Sequence, residues 1–191
     1  MPDSGTEVLI TGMGSENARA AISKYFESKR PARVITAGFA GGLDPTLELG
    51  AIVFNSQDAS LAKALQNQGA RGCNFLFTES VAVTADQKKQ LRLKSGADAV
   101  EMESHAIAEV CREAHIHCSI VRVISDTSME DLPLDFNRIM TSNKRISIIK
   151  LALQIIRSPA KIPKLIQFRK KTIFAAKQLG AALDAATAMA R

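Results

Sequence analysis

Residues 7–124 alternate short apolar runs with amphipathic stretches, and that rhythm restricts the fold more than any other feature of the chain. Runs of strand length stand at 7–11 (EVLIT), 33–36 (RVIT), 51–55 (AIVFN), 73–78 (CNFLFT), 97–100 (ADAV) and 119–124 (SIVRVI). Helical patterns lie between them. One begins after Gly14, with Ser15 as its cap and Ala18, Ala21, Ile22 and Phe26 as its apolar stripe, and Pro31 stops it. Others span 61–68, 86–94 with Thr84 as cap, and 104–114. Strand and helix in such alternation predict an α/β fold, a mainly parallel sheet covered on both faces.

From Asn137 onward the pattern changes to helices alone, expected at 146–156, 160–168 and 171–189. Charge divides the chain at the same place. Residues 1–137 carry 13 Lys/Arg and 18 Asp/Glu, a net of −5, whereas residues 138–191 carry 12 Lys/Arg against Asp184, a net of +11. A chain of 191 residues suits one domain, an α/β body over 1–137 with a basic helical extension over 138–191. There is no apolar run of the roughly 18 residues that a membrane-crossing helix needs and no secretory pattern at the start, so a cytoplasmic protein is expected. Cys73, Cys111 and Cys118 form no C-x-x-C pair and fit reduced thiols.

In open α/β sheets ligands sit beyond the carboxyl ends of the strands, which directs attention to four places. Gly12-Met13-Gly14 opens the first helix, where amides hold an anion or where glycine merely permits a tight turn. Gly38, Phe39, Ala40, Gly41 and Gly42 form a glycine-rich turn whose backbone lets a ligand approach closely, or a plain strand exit. Glu101, Met102 and Glu103 come straight after a buried strand; a carboxylate there matches two vicinal hydroxyls, or the acidic pair serves the next helix's N-terminus. Arg122 interrupts an apolar strand and requires an acidic partner or a ligand. Ser125 and Asp126 end that strand, where Asp126 can act as a general acid or cap the next segment. His115, His117 and Cys118 lack a third ligand at metal spacing and read as a loop entering a strand. Neither a dinucleotide fingerprint nor a P-loop lysine occurs, so no cofactor is implied.

The segments ITAGFAGGLDPTLELGAIV, GADAVEMESHAIAEVC and VRVISDTSMEDLP together resemble the purine nucleoside phosphorylase superfamily. They are most similar to its methylthioadenosine and adenosylhomocysteine nucleosidases, and the carboxyl half is most similar to the hopanoid-associated branch that acts on adenosylhopane. The resemblance implies a three-layer α/β/α sandwich and cleavage of the N-glycosidic bond of an adenosine-type nucleoside. It gives Glu103 the vicinal ribose hydroxyls, Met102 the sugar or base, Glu101 the support of the ribose side and Asp126 the purine N7, with Ser125 positioning that acid. Arg122 orients the carboxylates, and Gly38, Phe39, Ala40 and Gly41 count among the substrate-binding residues. The resemblance begins at the family's later strands, so the family's amino-terminal strands and water-activating glutamate are expected to be missing. Thr36 and Phe39 stand where phosphorolytic members hold phosphate, which favours water over phosphate; phosphorolysis and a catalytically degenerate nucleoside-binding protein are the alternatives. Family members are dimers or trimer-based assemblies, so a homo-oligomer is expected. The basic segment 144–171 interleaves large aliphatics with lysine and arginine; it either packs on the body or lies on an anionic membrane, at the inner face, and contains no nucleic-acid-reading motif.

Overall fold

The computed structural model describes residues 5–141 and 147–189. Its elements are α1 (Ser15–Phe26), β1 (Arg33–Gly42), β2 (Ile52–Asn55), α2 (Ala59–Gln66), β3 (Arg71–Gly72), β4 (Phe75–Phe77), α3 (Ala85–Ser95), β5 (Ala99–Glu101), α4 (Ser104–Glu113), β6 (His117–Asp126), α5 (Phe136–Ile139), α6 (Ile148–Arg157), a 3-10 turn (Pro159–Lys161) and α7 (Ile162–Met189). The sheet order is β3-β2-β6-β1-β5-β4. Three neighbouring pairs, β1/β6, β2/β3 and β4/β5, run parallel, and β1/β5 and β2/β6 run antiparallel. The sheet is thus mixed and mainly parallel, as expected.

Helices cover both faces. Ala18 and Ile22 of α1 pack with Ile107, Val110 and Cys111 of α4 on one side. Leu61 and Leu65 of α2 and Ala186 of α7 pack on Phe54 and Val121 on the other. Alternation along β6 produces this division, since successive side chains of a strand face opposite ways. Val121 joins the α2/α7 layer, while Arg122 turns towards the amino end of α4. Along α7 the buried positions are Ala175, Ala182 and Ala186, small residues that let a long helix lie close to the sheet.

Four expectations are corrected. Residues 7–11 are irregular rather than a strand, with Val8 and Ile10 exposed; among the described residues no strand pairs with them to supply the hydrogen bonds a strand requires. Ser15 does not cap α1: the cap position is Gly14, and no side chain caps it. The two helices expected after residue 160 form one, α7, because Pro163 falls in its first turn, where a missing N–H costs nothing. The glycine-rich turn is strand: β1 continues through Gly42, with a register irregularity between Ala40 and Gly41. Thr84 does cap α3, with Gln87 completing a capping box.

Candidate active site

The ends of β1, β5 and β6 meet at one cavity of about 420 Å³, which Phe136 of α5 and Phe168 and Thr172 of α7 also line. Gly38, Phe39, Ala40, Gly41, Glu101, Met102, Glu103, Arg122, Ser125 and Asp126 all line it. Sequence separates these residues by up to 88 positions. Parallel pairing of β1 with β6 and antiparallel pairing of β1 with β5 bring them together.

The glycines of β1 serve the protein's own side chains. A Cβ at Gly38 would stand 3.4 Å from Arg122 Nη1, and one at Gly41 would stand 3.2 Å from Val100 Cγ1 and 3.3 Å from Asp126 Oδ2. Strand glycine is normally unfavourable, and here it frees the space that two charged side chains of β6 occupy.

A continuing strand would point Glu101 and Glu103 the same way. The strand ends at Glu101, however, and the backbone turns at Glu103 into α4. Glu101 faces inward. Its Oε2 accepts from the amides of Glu103 at 3.0 Å and Ser104 at 2.8 Å and from Arg122 Nη2 at 2.9 Å. Arg122 Nη2 also donates to Thr36 Oγ1 at 3.1 Å and Ser104 Oγ at 2.6 Å, so this buried pair staples β1, β5, α4 and β6 together. Glu103 instead borders the cavity, where its Oε1 accepts from the Gly14 amide at 2.8 Å. The turn before α1 therefore does hold an anion, and that anion is a carboxylate of the same chain. Burial pushes the Glu103 carboxyl above its ordinary range, opposed by the Gly14 hydrogen bond and reinforced by the negative charge of Glu101.

Asp126 is held from two sides. Ser125 Oγ donates to its Oδ1 at 2.6 Å, and the ammonium of Lys88, entirely buried beneath α3, lies 2.5 Å from its Oδ2. Sequence reasoning missed Lys88 because KKQLRLK reads as a solvated face. The signal was its position: it sits four residues after the cap Thr84 and three before Leu91, on the inward stripe of α3. The aromatic wall was missed as well. Phe136 and Phe168 meet with ring centroids 5.7 Å apart, although 32 residues separate them.

A carboxylate on a helix-turn amide, a second carboxylate between a hydroxyl and an ammonium, and aromatic side chains thus line one cavity, the mixture of apolar wall and few polar groups typical of small-molecule sites. Comparison with known proteins agrees with the architecture that carries it. Residues 59–157 match the family model described as the Phosphorylase superfamily, and the chain belongs to that family. A 5'-methylthioadenosine/S-adenosylhomocysteine nucleosidase of Shewanella pealeana is 27% identical over 187 aligned positions, covering 78% of this chain and 81% of the relative. Among solved structures, the nucleosidase of the same description from Neisseria meningitidis, in complex with methylthio-immucillin-A, superposes with a TM-score of 0.67 at 19% identity, covering 95% of this chain and 80% of that one. Native futalosine hydrolase of Helicobacter pylori superposes with a TM-score of 0.61 at 15% identity, covering 91% and 77%. These solved structures share the fold.

Proposed function

We propose that this chain, as one domain over residues 1–191, hydrolyses the N-glycosidic bond of an adenosine-type nucleoside and releases adenine. The observation that carries the reading is that Glu103 and Asp126 line one cavity, each fixed by a partner of a different element. Glu103 Oε1 is anchored on the Gly14 amide, which leaves acceptor capacity for the two vicinal hydroxyls of a ribose. Asp126, with Ser125 holding one of its oxygens, is the group of the same cavity for N7 of the purine. Breaking the bond builds positive charge on the sugar and negative charge on the base, so a carboxylate near the first and a proton delivered to the second lower the barrier. Thr36, where phosphorolytic members hold phosphate, is occupied as an acceptor for Arg122, and Arg19 is paired with Glu109; both favour water as the nucleophile.

Release of adenine from 5′-methylthioadenosine and adenosine, with and without phosphate, tests the reading. Adenine without phosphate supports hydrolysis, and release only with phosphate replaces it by phosphorolysis. Asp126→Asn is expected to lower turnover by roughly 10²–10⁴-fold, about 3–5 kcal/mol, while nucleoside binding survives. Binding without any release by the parent would leave a nucleoside-binding scaffold.

The apolar walls Phe39, Phe136 and Phe168 suit an apolar 5′ substituent, in a range from methylthio to hopanoid. For a lipid-borne substrate, α6 supports peripheral contact with an anionic membrane. Ile148, Ile149, Leu153 and Ile156 fall on one exposed side of that helix, flanked by Lys150 and Arg157. Residues 144–146 of the basic segment lie outside the described residues, and no described helix is long and apolar enough to cross a membrane. Salt-sensitive flotation with anionic vesicles is the expected result; no flotation at low salt would confine the substrate to small nucleosides. Exposed Met13 and Phe39 at the cavity rim favour a homo-oligomer in which a second copy covers them, to be read by sedimentation.

A further inference from the structure

Lys88 is a fully buried lysine on an otherwise polar helix, and its ammonium is completely partnered. Nζ donates to the carbonyls of Thr127 at 2.8 Å and Glu130 at 2.9 Å, and its third N–H faces Asp126 Oδ2 at 2.5 Å. A buried ammonium is costly, and a methionine of similar shape would fill the same space without charge. The arrangement has a feature that mere packing does not need. The two carbonyls hold two N–H bonds whether the nitrogen carries two protons or three. A neutral amine would lose no partner there and would accept from a protonated Asp126. One proton, the one on the 2.5 Å line, is therefore free to move while every other hydrogen bond stays in place.

Asp126 itself reaches the cavity, and both its neighbours donate to it. Both of its oxygens face a donor, so a proton that it passes on comes from one of these neighbours.

We propose that Lys88 supplies the proton that the departing base takes up, as a positioning residue that acts through Asp126. This rests on the reading of the cavity as a glycosidic-bond-cleaving site. As the C1′–N9 bond breaks, its electron pair goes to the purine; Asp126 takes a proton from Nζ, which becomes a neutral amine, and passes one on to N7. Water adds to C1′, and the proton it loses returns through solvent to restore the ammonium. Sugar and base leave with the elements of one water between them, and nothing is oxidised or reduced. Glu130 also lies near Lys88, and Lys171 of α7 holds it at 2.5 Å, which keeps it from taking the place of Asp126.

The test compares two leaving groups. 5′-Methylthioadenosine requires a proton at the base, whereas 4-nitrophenyl ribofuranoside releases a nitrophenolate that departs without one. Lys88→Met is expected to lower turnover of the nucleoside by about 10²-fold or more, and turnover of the nitrophenyl riboside by less than about threefold on the same reasoning. Lys88→Gln, whose amide keeps N–H groups for the two carbonyls, carries the same comparison if the methionine variant fails to fold, as judged by circular dichroism. Equal losses on both substrates would overturn the proposal in favour of a structural lysine, and no loss on either would overturn it as well. A parent protein that cleaves neither substrate would instead overturn the proposed function, and this inference with it.

Discussion

The amide of Gly14 donates to Glu103 Oε1 at 2.8 Å across 89 positions of sequence, joining the turn before α1 to the turn before α4. Gly14 has φ +85°, a left-handed conformation that glycine adopts without strain, and it points its N–H out of the helix towards the cavity. The helix dipole of α1 adds to this hydrogen bond in holding the carboxylate. Orientation of Glu103 thus depends on α1, the α1/α4 packing and the β5–α4 turn together.

That dependence predicts how Glu103 discriminates between sugars. A carboxylate fixed for two hydroxyls is left partly unsatisfied by a 2′-deoxy nucleoside, which costs about 1–3 kcal/mol. Glu103→Ala should weaken binding of ribonucleosides and shrink the ribo-to-deoxyribo preference towards unity in kcat/KM. An unchanged preference would assign Glu103 to the helix terminus alone.

Much of this site is readable from residue order. An arginine inside SIVRVI requires a buried anion, and Glu101 supplies it; an acidic pair after a buried strand places Glu103 at the cavity. The features that escape depend on tertiary neighbours. The β1 glycines read as a turn because glycine is poor in strands, and the close approach of side chains from β5 and β6, Arg122 at Gly38 and Val100 and Asp126 at Gly41, explains them. Lys88 escapes for the same reason: its burial depends on the Asp126 carboxylate and two loop carbonyls, none adjacent in sequence. Residues 7–11 carry a strand pattern without a strand partner among the described residues.

The raised pKa of Glu103 makes a prediction about stability. A carboxyl whose folded pKa exceeds its unfolded value binds its proton more tightly in the fold. Below the ordinary value of 4.5 it is protonated in both states and contributes nothing. As pH rises from there through the raised folded value, the fold loses stability, and above it the full cost is present. Glu103→Gln keeps an oxygen for the Gly14 amide and removes the charge. Its Tm should exceed that of the parent at pH 7 and converge with it near the acid end. A parent more stable than the variant at pH 7 would show that the Gly14 bond and the helix dipole outweigh burial.

The Glu101–Arg122 pair makes the opposite demand, because here both charges are buried. Glu101 and Arg122 are 6% and 2% exposed, and each satisfies groups of other elements. Replacing Arg122 with methionine leaves the buried Glu101 carboxylate with two backbone amides and no cation. Losing one partner of a buried pair costs about 3–5 kcal/mol, far more than the pair contributes relative to apolar residues. Thr36 and Ser104 also lose the donor they share, although their hydroxyls can turn to other acceptors. Adding Glu101→Gln to Arg122→Met removes the stranded charge while its amide oxygen still accepts from the amides of Glu103 and Ser104. The double variant should therefore regain at least half of what the single variant loses, measured by urea unfolding. Additive losses would mean that the two side chains act separately and that the strand arginine stabilises the sheet through packing alone.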